Sequence, residues 1–458
     1  MRNRTFISFA LMGALLLSVA LGQSWSVALA ILNLCLISSV MALGVNIQWG
    51  YAGLFNVGIM GFAALGGASA VLVSKAPVGE AWRVGGLGLF AALAVVLATI
   101  ALAVAIYRRM PKGRTRGFSI FAIIAVGYFL TRFIADPAVD AIESVDPAKT
   151  GYLGGMGLPI IVSWVIGGVF AAGAAWVVGK VALGLRSDYL AIATLGISEI
   201  IIAVLKNEDW LTRGVKNVSG LPRPVPYEVQ LQQTDWFIRL VETMNRGELA
   251  ALGEGKADLL AKMVIDYSSV FVKLCYTGLF ASVLIIILVL SAKALNSPWG
   301  RMMRAIRDNE VSASAMGKDV TARHLQVFVL GSAVVGIAGA MLTTLDGQFT
   351  PGTYNPLRFT FLIWVMVIVG GSGNNLGSVL GGFVIWFFWI EAEPMGLWLI
   401  DTLTSGFDEN HPFRLHMMEN AQHMRLFVMG LVLLLVMRFS PGGILPERIS
   451  PKQNPTSS

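Results

Sequence analysis

The residues that could do chemistry in this chain are few, and their spacing points to binding rather than bond making. His411, His416 and His423 form the one histidine group, but intervals of five and seven do not place two imidazoles on one helical face as i, i+4 metal sites do. They read as solvated loop residues, and no metal is expected. Cys35 and Cys275 lie far apart in apolar runs and read as inert packing residues. No stretch has the G-x-x-x-x-G-K-[ST] spacing that cradles nucleotide phosphates, and H-E-x-x-H, C-x-x-C and G-x-S-x-G are absent as well. ATP is therefore not bound by that route, and neither an enzyme nor a cofactor is expected.

What remains is a set of polar residues in apolar surroundings. Asn46, Tyr51, Gly53, Asn56 and Gly58 interrupt an early apolar stretch, next to the small-residue spacings Ala63–Gly67 and Gly66–Ala70. Broken or Gly-rich backbone at membrane depth persists only where it is buried in protein or lines a cavity. These residues are candidates for a solute pathway, with close helix packing as the other reading. Glu199 stands inside an apolar run, where an intramembrane charge costs roughly 2.5–3.5 kcal/mol on insertion scales. It must face protein or water, pairing with Lys206, making a structural hydrogen bond, or orienting a solute's ammonium group.

The elements that position these residues follow from composition. Of 458 residues 55% are hydrophobic and 13% charged, against about a quarter charged in soluble domains. Mean hydropathy is +0.70, and it comes from repeated runs near the length of about 18 residues that crosses the hydrocarbon core. The 50 glycines lie mostly inside those runs, as expected where helices pack closely in lipid. The formal charge of +7 is spread over membrane-flanking loops, so no nucleic-acid partner is expected.

The pattern predicts an all-α polytopic membrane protein with about 10–12 transmembrane helices. Candidate spans are Phe6–Leu21, Val27–Val45, Leu54–Ser74, Gly86–Ile106, Phe118–Ala135, Leu158–Leu183, Tyr189–Lys206, Ser268–Lys293, Gln326–Leu345, Phe359–Gly371, Leu376–Glu391 and Met424–Met437. The expected organisation is spans over 1–206, an extracytoplasmic segment 207–267, a span at 268–296 and a cytoplasmic loop 297–324. Spans over 325–391, an outer loop 392–423, a last span 424–438 and a cytoplasmic tail 439–458 complete it. Alternation of sides collects Arg2, Arg4, the 108–116 cluster, the Lys293–Arg323 loop and the tail on one strongly basic face, which marks the cytoplasm and places both termini there. The first apolar run also resembles a secretory signal, with small residues near Ala28 and Ala30; a retained span is the reading adopted. In the outer segment, prolines at 222, 224 and 226 precede Trp236, Phe237, Leu240, Val241 and Met244, whose spacing predicts an amphipathic helix, either on an interface or packed as a cap.

The cytoplasmic loop reads SPWGRMMRAIRDNEVSASAMGKDVTAR from Ser297. Projected at about 100° per residue, Trp299, Met302, Met303, Ile306 and Ala313 share one side while Arg301, Arg304 and Asp308 oppose them. Glu310 falls in the apolar stripe if the helix is continuous, which suits a docked partner; if the helix ends near Asn309, that projection has no meaning.

This loop resembles the cytoplasmic coupling loop of ABC importer permeases, in particular the branched-chain amino acid permeases of the LivM family. There a G-R-x-x-R-A-I-R-[DE]-[DN]-E stretch leads to A-M-G, matched here by Gly300, Arg301, Arg304, Ala305, Ile306, Arg307, Asp308, Asn309, Glu310, Ala315, Met316 and Gly317. Ala42–Gly67, Thr194–Pro222 and Val365–Gly382 are similar to further elements of that family in the same order. The general E-A-A-x-x-x-G pattern is not kept: Glu310 stands seven residues before Gly317, and Val311 and Ser312 replace the alanines. Asn217–Gly220 lacks the glycine that often precedes the S-G step, and the outer segment is longer than usual.

The resemblance implies a bacterial inner-membrane permease subunit of an ATP-driven importer. Its partners would be a second permease, two ATP-binding cassette subunits, an extracytoplasmic substrate-binding protein and membrane lipid. It implies an ATPase-coupling role for Trp299, Arg301, Arg304, Ile306, Asp308, Asn309, Glu310, Ala313, Met316 and Gly317, with branched-chain amino acids as the solute. A permease for urea, amides or another small polar solute, or an ion-coupled secondary transporter, are the alternatives.

Overall fold

The computed structural model describes residues 2–147, 150–250, 256–408 and 411–447; of the tail 439–458, positions 448–458 lie outside the described residues. The first half contains α1 (Arg2–Gly22), α2 (Trp25–Val45), α3 (Ile59–Ser74), α4 (Gly79–Arg109), α5 (Arg114–Glu143), α6 (Ile160–Ala182) and α7 (Ser187–Asn207). The outer segment holds α8 (Asp209–Thr212), α9 (Glu228–Gln232), α10 (Asp235–Met244) and α11 (Arg246–Ala250). Then come α12 (Lys256–Asn296), α13 (Pro298–Asp308), α14 (Glu310–Ala315), α15 (Val320–Asp346), α16 (Pro356–Gly370), α17 (Asn375–Leu403), α18 (Pro412–Glu419) and α19 (Met424–Phe439).

Each apolar run read as a span carries a helix, but not all are equally long. Among the described residues nine helices are long and apolar enough to cross a membrane, and a tenth span forms if α18 and α19, bent by 65°, count as one. α3 and α16 are shorter apolar helices. The boundaries shift in two places. α12 begins at Lys256, within the segment assigned outside the membrane up to 267, and α17 continues to Leu403 through the outer loop assigned from 392. In α17 the charges at Glu391 and Glu393 do not end the helix. Glu391 is 3% exposed and accepts a hydrogen bond from Gln23 Nε2 at 2.9 Å, and Glu393 pairs with Arg425. Glu391 is thus a second carboxylate within a long apolar helix, beside Glu199.

Local chemistry sets several helix starts. Ser24 caps α2 by accepting from the Val27 amide at 3.2 Å, and Asp319 caps α15 by accepting from Ala322 at 3.0 Å. Asn355 caps α16, whose first residue Pro356 has no amide hydrogen to leave unpaired.

The core is built from α2, α3, α6, α15, α16 and α17, and small residues let these helices meet at backbone distance. A Cβ on Gly66 of α3 would overlap the Gly336 carbonyl of α15, and one on Gly339 would overlap the Ala63 carbonyl. α4 and α5 pack chiefly on one another and keep most of their apolar surface exposed. Outside the bundle, β1 (Val218–Ser219) pairs antiparallel with β2 (Gln348–Phe349), and Lys75 Nζ donates to the Ser219 and Gly220 carbonyls at 2.9 Å each. The amphipathic α10 buries Phe237 and Val241 against the chain, with Phe237 edge-on to Phe271 of α12; Trp236, Leu240 and Met244 stay exposed.

Candidate functional site

The early Asn- and Gly-rich stretch forms a break between α2 and α3. α2 loosens into a π-turn at Asn46–Gly50, and after Tyr51 and Ala52 the chain runs without regular structure to Gly58. Gly53 has φ +71, a conformation that disfavours a side chain. Inside a membrane such a break must satisfy its own polar groups, and here it does.

Asn46 Nδ2 donates to Asn375 Oδ1 at 3.1 Å, while its Oδ1 accepts from the Gly373 amide at 2.9 Å. Gln48 Nε2 donates to Phe328 O (2.9 Å) and Ser332 Oγ (3.0 Å) of α15, and Gln48 Oε1 accepts from Asn56 Nδ2 at 2.9 Å. Trp364 Nε1 donates to Asn56 O at 3.0 Å, Asn56 Oδ1 accepts from the Gly58 amide at 2.9 Å, and Thr194 Oγ1 accepts from Val57 at 3.0 Å. Asn46, Asn56 and Gly58 are therefore committed to holding the break. Of the other residues expected to line a pathway, Tyr51 borders an open cavity, and Gly53 and Glu199 are exposed.

Gln48, Ser332 and Trp364 were not legible as site residues, because a single Gln, Ser or Trp in an apolar run carries no spacing signal. Replacing Gln48 with Leu strands the buried Asn56 amide, at a cost of about 1–3 kcal/mol. A lower resistance to unfolding, measured by titrating SDS against a mild detergent, is the expected outcome.

The cytoplasmic helices meet this break directly. The apolar face of α13 is spent inside the chain: Met303 and Ile306 are buried, and Trp299 Nε1 donates to Gln326 of α15 at 3.2 Å. Arg304 Nη2 donates to the Leu295 carbonyl at 3.1 Å, so this residue turns back toward α12. Arg307 donates to the Gly50 carbonyl and forms an ion pair with Glu447 at 3.0 Å, and its stem lies where a Cβ on Gly53 would touch it. Burial works against the Arg307 charge, but Glu447 and Asp308 outweigh it and hold the guanidinium protonated more firmly than usual. Arg307 and Glu447 were missed as a pair because 140 residues separate them.

The helix does not continue through Glu310. Asn309 is extended (φ −159, ψ 95), and its side chain accepts from Ser312 N at 2.9 Å to start α14. The placement of Glu310 in the apolar stripe is corrected accordingly: it is exposed in the first turn of a second helix. α14 instead projects Val311, 80% exposed, and its C-cap Met316 is 79% exposed. Arg301, Asp308 and Asn309 are also exposed, Ala313 is half-buried, and Gly317 (φ +76) has open space around it.

Glu199 lies on α7, where Thr194 accepts from the Val57 amide of the break and Ser198 from the Gly61 amide of α3. It is exposed, and among the described residues it forms neither the ion pair with Lys206 nor a hydrogen bond. A bare carboxylate on a span needs water or another subunit beside it.

Beyond the break, a cavity of about 290 Å³ lies between α2, α3, α15, α16 and α17. Ile37, Met41, Met60, Ile363 and Met366 give it apolar walls, and Asp346 and Trp386 supply polar groups. Among the described residues the buried Trp386 indole nitrogen has no acceptor. Among the described residues no group of His, Cys, Asp and Glu could hold a metal ion.

The family model for the branched-chain amino acid transport system permease component matches residues 115–437. The high-affinity branched-chain amino acid transport system permease protein LivM of Escherichia coli K12 is 26% identical over 223 residues, 48% of each chain. The probable branched-chain amino acid transport permease protein LivM of Methanocaldococcus jannaschii is 27% identical over 156 residues, 34% of this chain and 42% of that one. A probable LivH permease of the same archaeon is 31% identical over 110 residues, 23% of this chain and 34% of its own. The aligned stretches span about half the length or less of the curated relatives matched, and no solved structure matches this chain. Because the matched region runs from α5 through the cytoplasmic pair α13–α14 to α19, the chain belongs to the family of branched-chain amino acid transport permease components.

Proposed function

We propose that this chain is one of two membrane subunits of an ATP-driven importer for branched-chain amino acids, with both termini in the cytoplasm. A second permease completes the pathway, two ATP-binding cassette subunits engage α13–α14, and an extracytoplasmic binding protein delivers the solute. The observation that carries this reading is Arg307. It joins the helix pair that projects from the bundle to the broken α2–α3 segment inside it, so a rigid-body push on α14 has a route to spans α3 and α15.

The aliphatic lining of the 290 Å³ cavity supports a branched apolar side chain over urea or an amide, because buried apolar surface stabilises by roughly 25 cal/mol per Å². Exposed Glu199 supports a neighbouring subunit or a water-filled route along α7. The deciding experiment is purification from native membranes with the attached subunits identified, then reconstitution in proteoliposomes. Uptake of leucine, isoleucine or valine that requires ATP and the binding protein is expected. Uptake by the isolated chain in response to an ion gradient would instead make it a secondary transporter.

A further inference from the structure

At the end of the bundle that carries the break, an open cavity of about 540 Å³ is bounded by α1, α12, α13, the α16–α17 turn and the 445–447 segment. Three span ends meet there: Arg4 lies in the first turn of α1, Asn296 closes α12, and Asn375 opens α17. The cavity therefore lies at a boundary of the hydrocarbon core, whichever side of the membrane that is.

Its charge is unbalanced. Glu447 is held by Arg307 at 3.0 Å, and among the described residues no carboxylate pairs with Arg4 or Arg304. The start of the 29-residue α17 adds the positive end of a helix dipole. Tyr51 lines the same cavity.

The wall opposite these groups is apolar, formed by Leu288, Val289 and Ala292 of α12. That wall continues onto a bare helix face, where Ile285, Ile286 and Val289 are 58%, 57% and 46% exposed. A soluble phosphate would satisfy the arginines and gain nothing from this surface, whereas an acyl chain would cover it. Basic pockets between spans at a membrane face suit phospholipid headgroups, and guanidinium groups match phosphate oxygens with paired hydrogen bonds.

We propose that this cavity binds the headgroup phosphate of an anionic phospholipid, with Arg4 and Arg304 as its cations and the acyl chains laid along α12. Because Arg304 belongs to α13 and Tyr51 to the broken segment, the lipid bridges the two parts that Arg307 also joins. The assignment does not depend on which solute is carried.

The test uses the full chain in mild detergent, with native mass spectrometry against phosphatidylglycerol and phosphatidylcholine of identical chains. One phosphatidylglycerol is expected to remain bound in preference to phosphatidylcholine, with at least tenfold weaker binding in Arg4→Gln/Arg304→Gln. Arg4→Gln alone, a change on an exposed first turn, covers the case in which the double variant does not fold. A phosphatidylglycerol carrying a photoreactive acyl chain is expected to label 285–296. Equal binding of the two lipids overturns the proposal. So does displacement by inorganic phosphate with labelling elsewhere, which marks a soluble-anion site, and so does loss of labelling in the assembled native complex, which marks a protein contact.

Discussion

Val311→Asp combined with Glu310→Lys is expected to lower solute-stimulated ATP hydrolysis and ATP-driven uptake at least about tenfold, corresponding to ~1.4 kcal/mol or more of lost docking energy. The argument starts from where the side chains go. Val311, on the six-residue helix α14, and Met316, the residue that ends it, leave 80% and 79% of their surface exposed, and Glu310 opens that helix. Fully burying a valine stabilises by about 1.5–3 kcal/mol, and a carboxylate in its place opposes the same contact.

The substitutions touch nothing in the chain's own core, so expression and thermal unfolding should match the parent. Met303→Asp is the contrasting variant. Met303 is fully buried, and the change should release α13 from the bundle and destabilise the protein itself. If the double variant hydrolyses ATP and transports at the parental rate, α14 is not the ATPase contact. The effect is best read with the full set of subunits in proteoliposomes, where uptake and hydrolysis can be followed together.

Gly66→Leu is the second large effect, and it acts on folding. A Cβ at position 66 would overlap the Gly336 carbonyl, which belongs to the backbone of the long helix α15 and cannot rotate away. Overpacking costs typically about 1–3 kcal/mol where side chains can shift. Here two helices must separate, so the cost should approach the whole stability of about 5–15 kcal/mol. Little or no monodisperse protein is expected on size-exclusion chromatography. Gly173→Leu, on the exposed face of α6 with open space around it, should behave as the parent. Full recovery of Gly66→Leu would mean that α3 and α15 do not approach as described.

Much of the architecture was legible because hydropathy is a local property. Every apolar run named from the sequence carries a helix, and α10 appears where Trp236, Phe237, Leu240, Val241 and Met244 recur. Errors came where one charge was read as an end. Glu391 and Glu393 lie within α17, since Gln23 and Arg425 reach them from other elements. Of the two readings left open for Glu310, the one in which the helix ends near Asn309 holds, because that short polar side chain caps a new helix instead of extending the old one.

The sequence by itself determined that this is a multi-span helical protein lacking the nucleotide, zinc and thiol motifs sought, with a polar break near residue 50 and a basic helical loop after 297. Runs of apolar residues, prolines at first turns and Asn or Asp caps act over a few residues, so they are visible in order along the chain. Only the tertiary structure decided what the polar residues do. Gln48 is satisfied by Ser332, Asn46 by Asn375, and Arg307 by Gly50 and Glu447, each far away along the chain. A buried polar group must find some partner, but which partner depends on how whole helices pack, and no local pattern records that.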